Sequence, residues 1–106
     1  MPYANFARVK IILTEKGPVE DGKVQNYCLM ADNFINSTLI KTSEPVIPLP
    51  VPVPDLVIDH AVSLACAYFY KFESGDTITA KAAEDAWLLY FTSNYRRPRF
   101  VISTGI

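Results

Sequence analysis

The chain contains few of the residues from which enzyme active sites are built. Its 106 residues include one histidine, two cysteines and four glycines. The histidine, His60, precedes Ser63 by three positions on a predicted helix, but the residues around this pair give no support for nucleophilic catalysis. The few glycines form no phosphate-binding loop. We therefore expect no catalytic residue, and we expect His60 to be a structural or interface residue.

The two cysteines are too few and too far apart for a disulfide framework or a metal site. Secreted domains of this size usually carry more cysteines, and zinc sites need clustered ligands. Cys28 and Cys66 both lie in apolar helical patterns. This placement favours buried thiols in a reducing compartment over the alternative of a disulfide. We expect no metal and no other cofactor.

The chain also lacks a long hydrophobic run and a strong net charge. Its longest apolar stretch, residues 61–70, is interrupted by Ser63 and is far shorter than the ~20 residues that cross a bilayer. The first residues lack the basic and apolar regions of a signal peptide. The formal net charge is -1, which gives no bulk attraction to nucleic acid or to an acidic membrane surface. We expect a soluble intracellular domain with no membrane partner.

Apolar residues make up half of the chain, which is enough for the core of a single domain. Residues 6–13 have helical apolar spacing, although their β-branched side chains also allow a strand. Residues 21–39 carry one apolar stripe at positions i, i+3, i+4 and i+7, which predicts a helix. Residues 56–72 are apolar around the whole axis, which indicates a buried helix.

Turn and capping residues set the limits of these segments. Pro54 is suited to the first helical position of the third segment, and Gly75 is suited to its C-terminal cap. Residues 76–79 supply capping side chains for a last helix that ends near Asn94. We expect the inner stripe of this last helix to consist of Ala83, Ala86, Trp87 and Tyr90.

A proline-rich segment, residues 44–54, separates the second and third helices. Five prolines among residues 45–54 exclude a helix interior and a central strand, and they favour extended polyproline II structure. The remaining residues are mostly apolar, whereas a free linker would be polar. We therefore expect the segment to lie on an apolar surface, either its own or a neighbour's. The candidate subunit-interface residues are Val46, Ile47, Leu49, Val51 and Val53.

The last residues, 95–106, combine three arginines with aromatic and apolar side chains. Such a cluster can bind the DNA backbone or an acidic protein surface. A solvated basic tail is the alternative, but solvated tails seldom contain an apolar run such as residues 100–102. We predict a docking tail, 95–106, attached to a helical domain, 1–94. The candidate partner-interface residues are Tyr95, Arg96, Arg97, Arg99, Phe100, Val101 and Ile102.

These segments predict an all-α fold: a small four-helix bundle-like domain with a proline-rich extended crossing and an extended C-terminal tail. Three motifs follow one another along the chain: Val24-x-x-Tyr-Cys-x-x-Ala31-x-x-Phe-Ile, Ile58-x-x-Ala61-x-x-x-Ala65-x-Ala-Tyr68-x-Tyr70 and Ala82-Ala83-Glu84-x-Ala86-x-x-Leu89-Tyr90. With the proline-rich crossing after the first motif and the basic tail after the last, this order resembles the head–tail connector (adaptor, head-completion) proteins of tailed viruses of bacteria and archaea. The resemblance covers nearly the whole chain.

The resemblance implies a structural virion protein that forms a ring of about twelve identical subunits. Such a ring binds beneath the portal protein, receives the tail or a second adaptor, and lets viral DNA pass through its lumen without sequence-specific binding. The portal contact would fall on residues 95–102, with Arg96, Arg97 and Arg99 as polar anchors. The protein would reside in the virion, and in the host cytoplasm during assembly.

Two other classes of function remain open from the sequence. One is a small helical nucleic-acid-binding regulator that uses the C-terminal arginine cluster, although the helices themselves carry little basic charge. The other is an enzyme, which we rank last because no acid–base pair can be located.

Overall fold

The computed structural model describes residues 3–40, 49 and 51–95, and over these residues the fold is all-helical with no strand. The prediction of an all-α fold is confirmed. Most of the proline-rich segment and nearly all of the tail, residues 96–106, lie outside the described residues. The elements are α1 (Phe6–Leu13), a single 3-10 turn (Thr14–Lys16), α2 (Asp21–Leu39), α3 (Asp55–Ser74) and α4 (Thr77–Asn94).

The first segment is a helix, so the alternative of a strand is wrong. The side chain of Asn5 caps α1 by accepting a hydrogen bond from the Arg8 N–H at 3.0 Å. Of the residues with helical apolar spacing, Val9 and Leu13 are buried, whereas Ile12 is exposed. After the 3-10 turn the chain passes through Gly17 at φ 144°, a conformation that glycine adopts without a steric penalty.

Helix α3 is the centre of the fold and contacts each of the other three helices. The bounds of α2 agree with the prediction, and α3 begins one residue after Pro54, which therefore precedes the helix instead of opening it. The middle of α3 is buried, but Leu56 and Phe72 are exposed. The expectation that residues 56–72 are buried throughout is thus wrong at both ends, where the neighbouring helices no longer cover α3.

The connection between α3 and α4 follows the predicted capping chemistry. Gly75 adopts the left-handed conformation, at φ 74°, and its N–H bonds to the Lys71 carbonyl at 2.9 Å. The Asp76 side chain then accepts hydrogen bonds from the Thr79 N–H and hydroxyl, at 3.0 and 2.6 Å. This double cap starts α4 antiparallel to α3 within two residues.

Helix α4 is held by a narrow seam. Its buried residues are Ala80, Trp87 and Phe91, and the Trp87 indole N–H bonds to the Thr38 hydroxyl of α2 at 2.9 Å. Trp87 is buried as predicted, but Ala86 is exposed. Consecutive helical residues are about 100° apart, so with Trp87 pointing inward Ala86 is turned to the side.

Candidate interaction site

The structure describes four of the predicted interface residues: Leu49, Val51, Val53 and Tyr95. The other eight lie outside the described residues: Val46, Ile47, Arg96, Arg97, Arg99, Phe100, Val101 and Ile102.

The described valines and leucine of the proline-rich segment face in different directions. Leu49 is 7% exposed and belongs to the hydrophobic core, and Val53 is half-buried against the same core. Val51, by contrast, is 87% exposed. The sequence allowed this segment to pack on its own chain or on a neighbour. Leu49 and Val53 pack on their own chain, whereas Val51 is accessible to a neighbour.

Tyr95 packs on the end of α4. Its ring centre lies 6.5 Å from that of Trp87 and 6.1 Å from that of Tyr90. Tyr95 therefore packs against the helical body.

A buried polar cluster joins the N-terminal segment, α2 and the proline-rich segment. Tyr3 is 2% exposed; its hydroxyl donates a hydrogen bond to Asn36 Oδ1 at 2.6 Å and accepts one from the Leu49 N–H at 2.8 Å. The N–H groups of Tyr3 and Ala4 donate to Asp32 Oδ1 at 3.2 and 2.8 Å. We call these five residues the N-terminal clasp. They connect parts of the chain that share no helix.

Asp32 is the acidic member of the clasp, and no role was predicted for it from the sequence. Its side chain is 1% exposed, and Oδ2 has no hydrogen-bond partner among the described residues. Burial raises the pKa of this carboxyl group, while the N–H groups of Ala4 and Tyr3 oppose that rise. A signal was present: Asp32 follows Cys28 by four positions and precedes Ile35 by three, which places it on the buried stripe of α2.

An apolar groove runs along α3 between α1 and α4. These two helices do not contact each other, so the space above α3 stays open and has a volume of about 510 Å³. Small and apolar side chains line it: Ile12, Val62, Ser63, Cys66, Ala67, Thr79, Ala82, Ala83 and Ala86, with His60 and Tyr70. The groove is therefore an apolar surface that the described helices leave uncovered.

A second apolar stripe on α4 continues from this groove onto the outer surface. Ile78 is 82% exposed and Leu89 is 72% exposed, and Ala82 and Ala86 between them are exposed as well. At 100° per residue these four side chains lie within one quarter of the helix circumference, on the side away from Trp87. We call Ile78, Ala82, Ala86 and Leu89 the outer ridge.

The sole histidine is a packing residue of the α3–α4 contact. The His60 ring centre lies 5.8 Å from Trp87 and 5.2 Å from Tyr90, and burial lowers its pKa despite the neighbouring Asp59. Ser63 lines the same groove, but no hydrogen bond joins it to His60 in the part of the chain that the structure describes. Arg8 of α1 instead pairs with Asp59 at 2.9 Å.

Among the described residues, a cluster of acidic and basic side chains on the surface joins α2 to α3. Glu73 accepts hydrogen bonds from the Lys23 ammonium and the Tyr27 hydroxyl, each at 2.7 Å. The hydrogen bond from Lys23 lowers the pKa of Glu73, and burial raises that of Tyr27 to about 12. The Glu73 carboxylate thus accepts hydrogen bonds from both groups, and these bonds hold α2 against α3.

Both cysteines are free and buried, as predicted. Burial raises the pKa of each thiol to about 11. Within residues 3–40, 49 and 51–95, no group of three histidine, cysteine or acidic side chains is placed to hold a metal ion. No helix of this part of the chain has the length and hydropathy to cross a membrane.

A scan of protein-family models, a search of curated proteins and a search of solved structures each found no match to this chain.

Proposed function

We propose that this chain is a head–tail connector of a tailed virus, a structural protein that forms a ring between the portal and the tail. About twelve copies surround the channel through which DNA passes. Neighbouring copies contact each other through the outer ridge and the proline-rich segment, and residues 95–102 dock on the portal. The proposal rests on the order of sequence motifs and on the surface of the described body.

The observation that carries the proposal is the outer ridge. A helix that is apolar on two opposite sides is expected to be covered on both, yet within the described residues α4 is buried at Ala80, Trp87 and Phe91 and partly buried at Ala83 and Tyr90. Ile78 and Leu89 remain exposed at the two ends of the ridge. In the proposed ring, this exposed apolar stripe is the surface that a neighbouring copy covers.

The positions of the apolar features favour a ring over a closed pair. The outer ridge and Val51 lie on different elements, and in the proposed ring one of these surfaces contacts the left neighbour and the other contacts the right neighbour. Such head-to-tail contacts generate rings when the rotation closes. A two-fold dimer would instead use the same patch on both subunits.

The pairing of basic side chains favours the connector over the nucleic-acid-binding regulator. Arg8, Lys10, Lys23 and Lys81 are each paired with an acidic side chain, and the Lys71 ammonium lies 5.2 Å from the centre of the Phe72 ring. The described helices therefore offer few free cations to a phosphate backbone. A wall of this kind lets DNA slide, whereas a regulator must hold it.

The test is assembly on the portal ring encoded in the same genome. We expect the free full-length chain to be monomeric or weakly associated by light scattering, and to form rings on the portal in negative-stain images. The double variant Ile78→Lys/Leu89→Lys should fold normally and fail to form rings. Leu29→Lys, which changes an exposed apolar residue of α2, is the matched control and should assemble.

Charge reversal in the tail tests the second contact. Arg96→Glu/Arg97→Glu/Arg99→Glu should abolish portal binding, whereas Lys81→Glu, at an exposed lysine of α4, should preserve it. Failure of the wild-type chain to bind the portal overturns the proposal. A gel shift with duplex DNA separates the alternative: the regulator would bind at low salt and lose affinity steeply as salt rises.

A further inference from the structure

The proline-rich segment has few ways to fix its own position. Five of the ten residues 45–54 are prolines, which have no N–H to donate, so the segment cannot be held by a ladder of backbone hydrogen bonds. Its position must come from side-chain packing and from bonds to the few remaining N–H groups. The Leu49 N–H is one of these, and its partner is therefore informative.

That partner is the Tyr3 hydroxyl. Leu49 lies in the core at 7% exposure, and its N–H reaches the Tyr3 oxygen at 2.8 Å. Two residues later, Val51 is 87% exposed. The bond at Leu49 thus stands next to the point where the segment turns an apolar side chain outward.

Tyr3 is itself held in place before it meets Leu49. Its N–H bonds to the buried Asp32 carboxylate at 3.2 Å, and its hydroxyl donates to Asn36 at 2.6 Å. Both acceptors belong to α2, so Tyr3 links the position of Leu49 to that of α2. Because the Tyr3 hydroxyl is the acceptor of the buried Leu49 N–H, phenylalanine cannot replace it without leaving that N–H unsatisfied.

We propose that Tyr3 is a positioning residue: its hydroxyl fixes Leu49 against α2 and thereby presents Val51, two residues later, at one place on the surface. The consequence for assembly rests on the proposed connector function, in which Val51 belongs to the subunit contact. The positioning itself is a property of the free chain.

Hydrogen exchange in the full-length free chain tests the positioning role. In Tyr3→Phe we expect the Leu49 amide to exchange about tenfold faster, because its buried acceptor is removed, while the Trp87 amide in α4 keeps its wild-type rate. Tyr68→Phe is the matched control: it removes another buried tyrosine hydroxyl, bonded to Glu84 at 2.8 Å. This control should leave the Leu49 rate unchanged.

An unchanged Leu49 rate in Tyr3→Phe overturns the proposal, and so does an equal acceleration at Leu49 and Trp87, which would report a general loss of stability. Should Tyr3→Phe fail to fold, Asn36→Ala at the half-buried end of the same bond is the second variant. It should accelerate Leu49 exchange in the same selective way, and an unaltered rate would count against the proposal.

Assembly on the portal then tests the consequence. Tyr3→Phe should weaken ring formation about tenfold in the concentration required, and Tyr68→Phe should not. Selective exchange at Leu49 together with normal assembly would overturn the link to Val51. Failure of the wild-type chain to assemble would overturn the connector function instead. The positioning role of Tyr3 is then judged from the hydrogen-exchange result alone.

Discussion

Helices α2 and α4 both pack on α3, yet they use their apolar residues differently. The apolar stripe of α2 is enclosed, with Val24, Cys28 and Ile35 fully buried. Helix α4 buries a narrow seam centred on Trp87 and leaves Ile78 and Leu89 exposed on its other side. The contrast teaches that α2 buries most of its apolar stripe and exposes only one large apolar residue, Leu29, at 51%, whereas α4 exposes a row of apolar residues from Ile78 to Leu89.

The largest expected effect comes from removing the anchor of the α4 seam. Trp87→Ala should lower the free energy of unfolding by about 3–5 kcal/mol, because it opens a cavity and leaves the Thr38 hydroxyl without its indole partner. The change in the free energy of unfolding is measured by urea unfolding followed by circular dichroism. Tryptophan fluorescence cannot be used, because Trp87 is the sole tryptophan. Leu89→Ala on the outer ridge is the comparison, and it should change the same free energy by no more than about 0.5 kcal/mol. Equal costs would remove the distinction between seam and ridge.

The buried carboxyl group of α2 gives a pH-dependent effect. Burial raises the folded-state pKa of Asp32 above its ordinary value of 3.8, so the folded chain binds the proton more tightly than the unfolded chain does. The stability from this group is present below the unfolded pKa and is lost as the pH rises through the folded pKa. Each unit of the rise corresponds to about 1.4 kcal/mol.

Asp32→Asn removes this titration. We expect the free energy of unfolding of Asp32→Asn to rise relative to that of the wild type as the pH increases. Urea titrations across the mildly acidic range measure this difference. Asp85→Asn, at an exposed acid of α4, is the matched control for the replacement of one acid by its amide. A constant difference between wild type and Asp32→Asn would mean that Asp32 titrates normally in the folded chain.

The alkylation rates of the two cysteine thiols test the difference between the enclosed and the open side of α3 in the wild-type chain. Burial raises the pKa of both to about 11, so near pH 8 each should be alkylated roughly two to three orders of magnitude more slowly than a free thiol. Cys66 lines the open groove and Cys28 is fully buried. With the same pKa, access decides, and mass spectrometry should find Cys66 modified first. Equal rates would indicate that both react only after the chain unfolds.

Much of the fold was predictable because it depends on local pattern. The stripe of α2, the left-handed cap at Gly75 and the Asp76 cap all arise from residues within one or two helical turns. The pair Lys81–Asp85, at 3.5 Å, is local in the same sense. Such features follow from propensity and spacing alone.

The rest depends on contacts between distant parts of the chain. The Tyr3 hydroxyl accepts a hydrogen bond from the Leu49 N–H, 46 residues away in the sequence. No periodicity of the sequence predicts such a bond. Ala86 was predicted to lie on the inner stripe of α4 together with Trp87, and the packing of Trp87 shows that Ala86 lies outside the buried seam. The outer ridge was therefore hidden within a pattern that predicted the helix correctly.

The accessibility of the outer ridge in the assembled state tests the central claim most directly. Hydroxyl-radical footprinting of the full-length chain, free and bound to the portal ring, reports the exposure of each side chain. We expect Ile78 and Leu89 to be labelled in the free chain and protected in the assembly, while Leu29 on α2 stays labelled in both. Equal labelling of Ile78 and Leu89 in the two states would contradict the account.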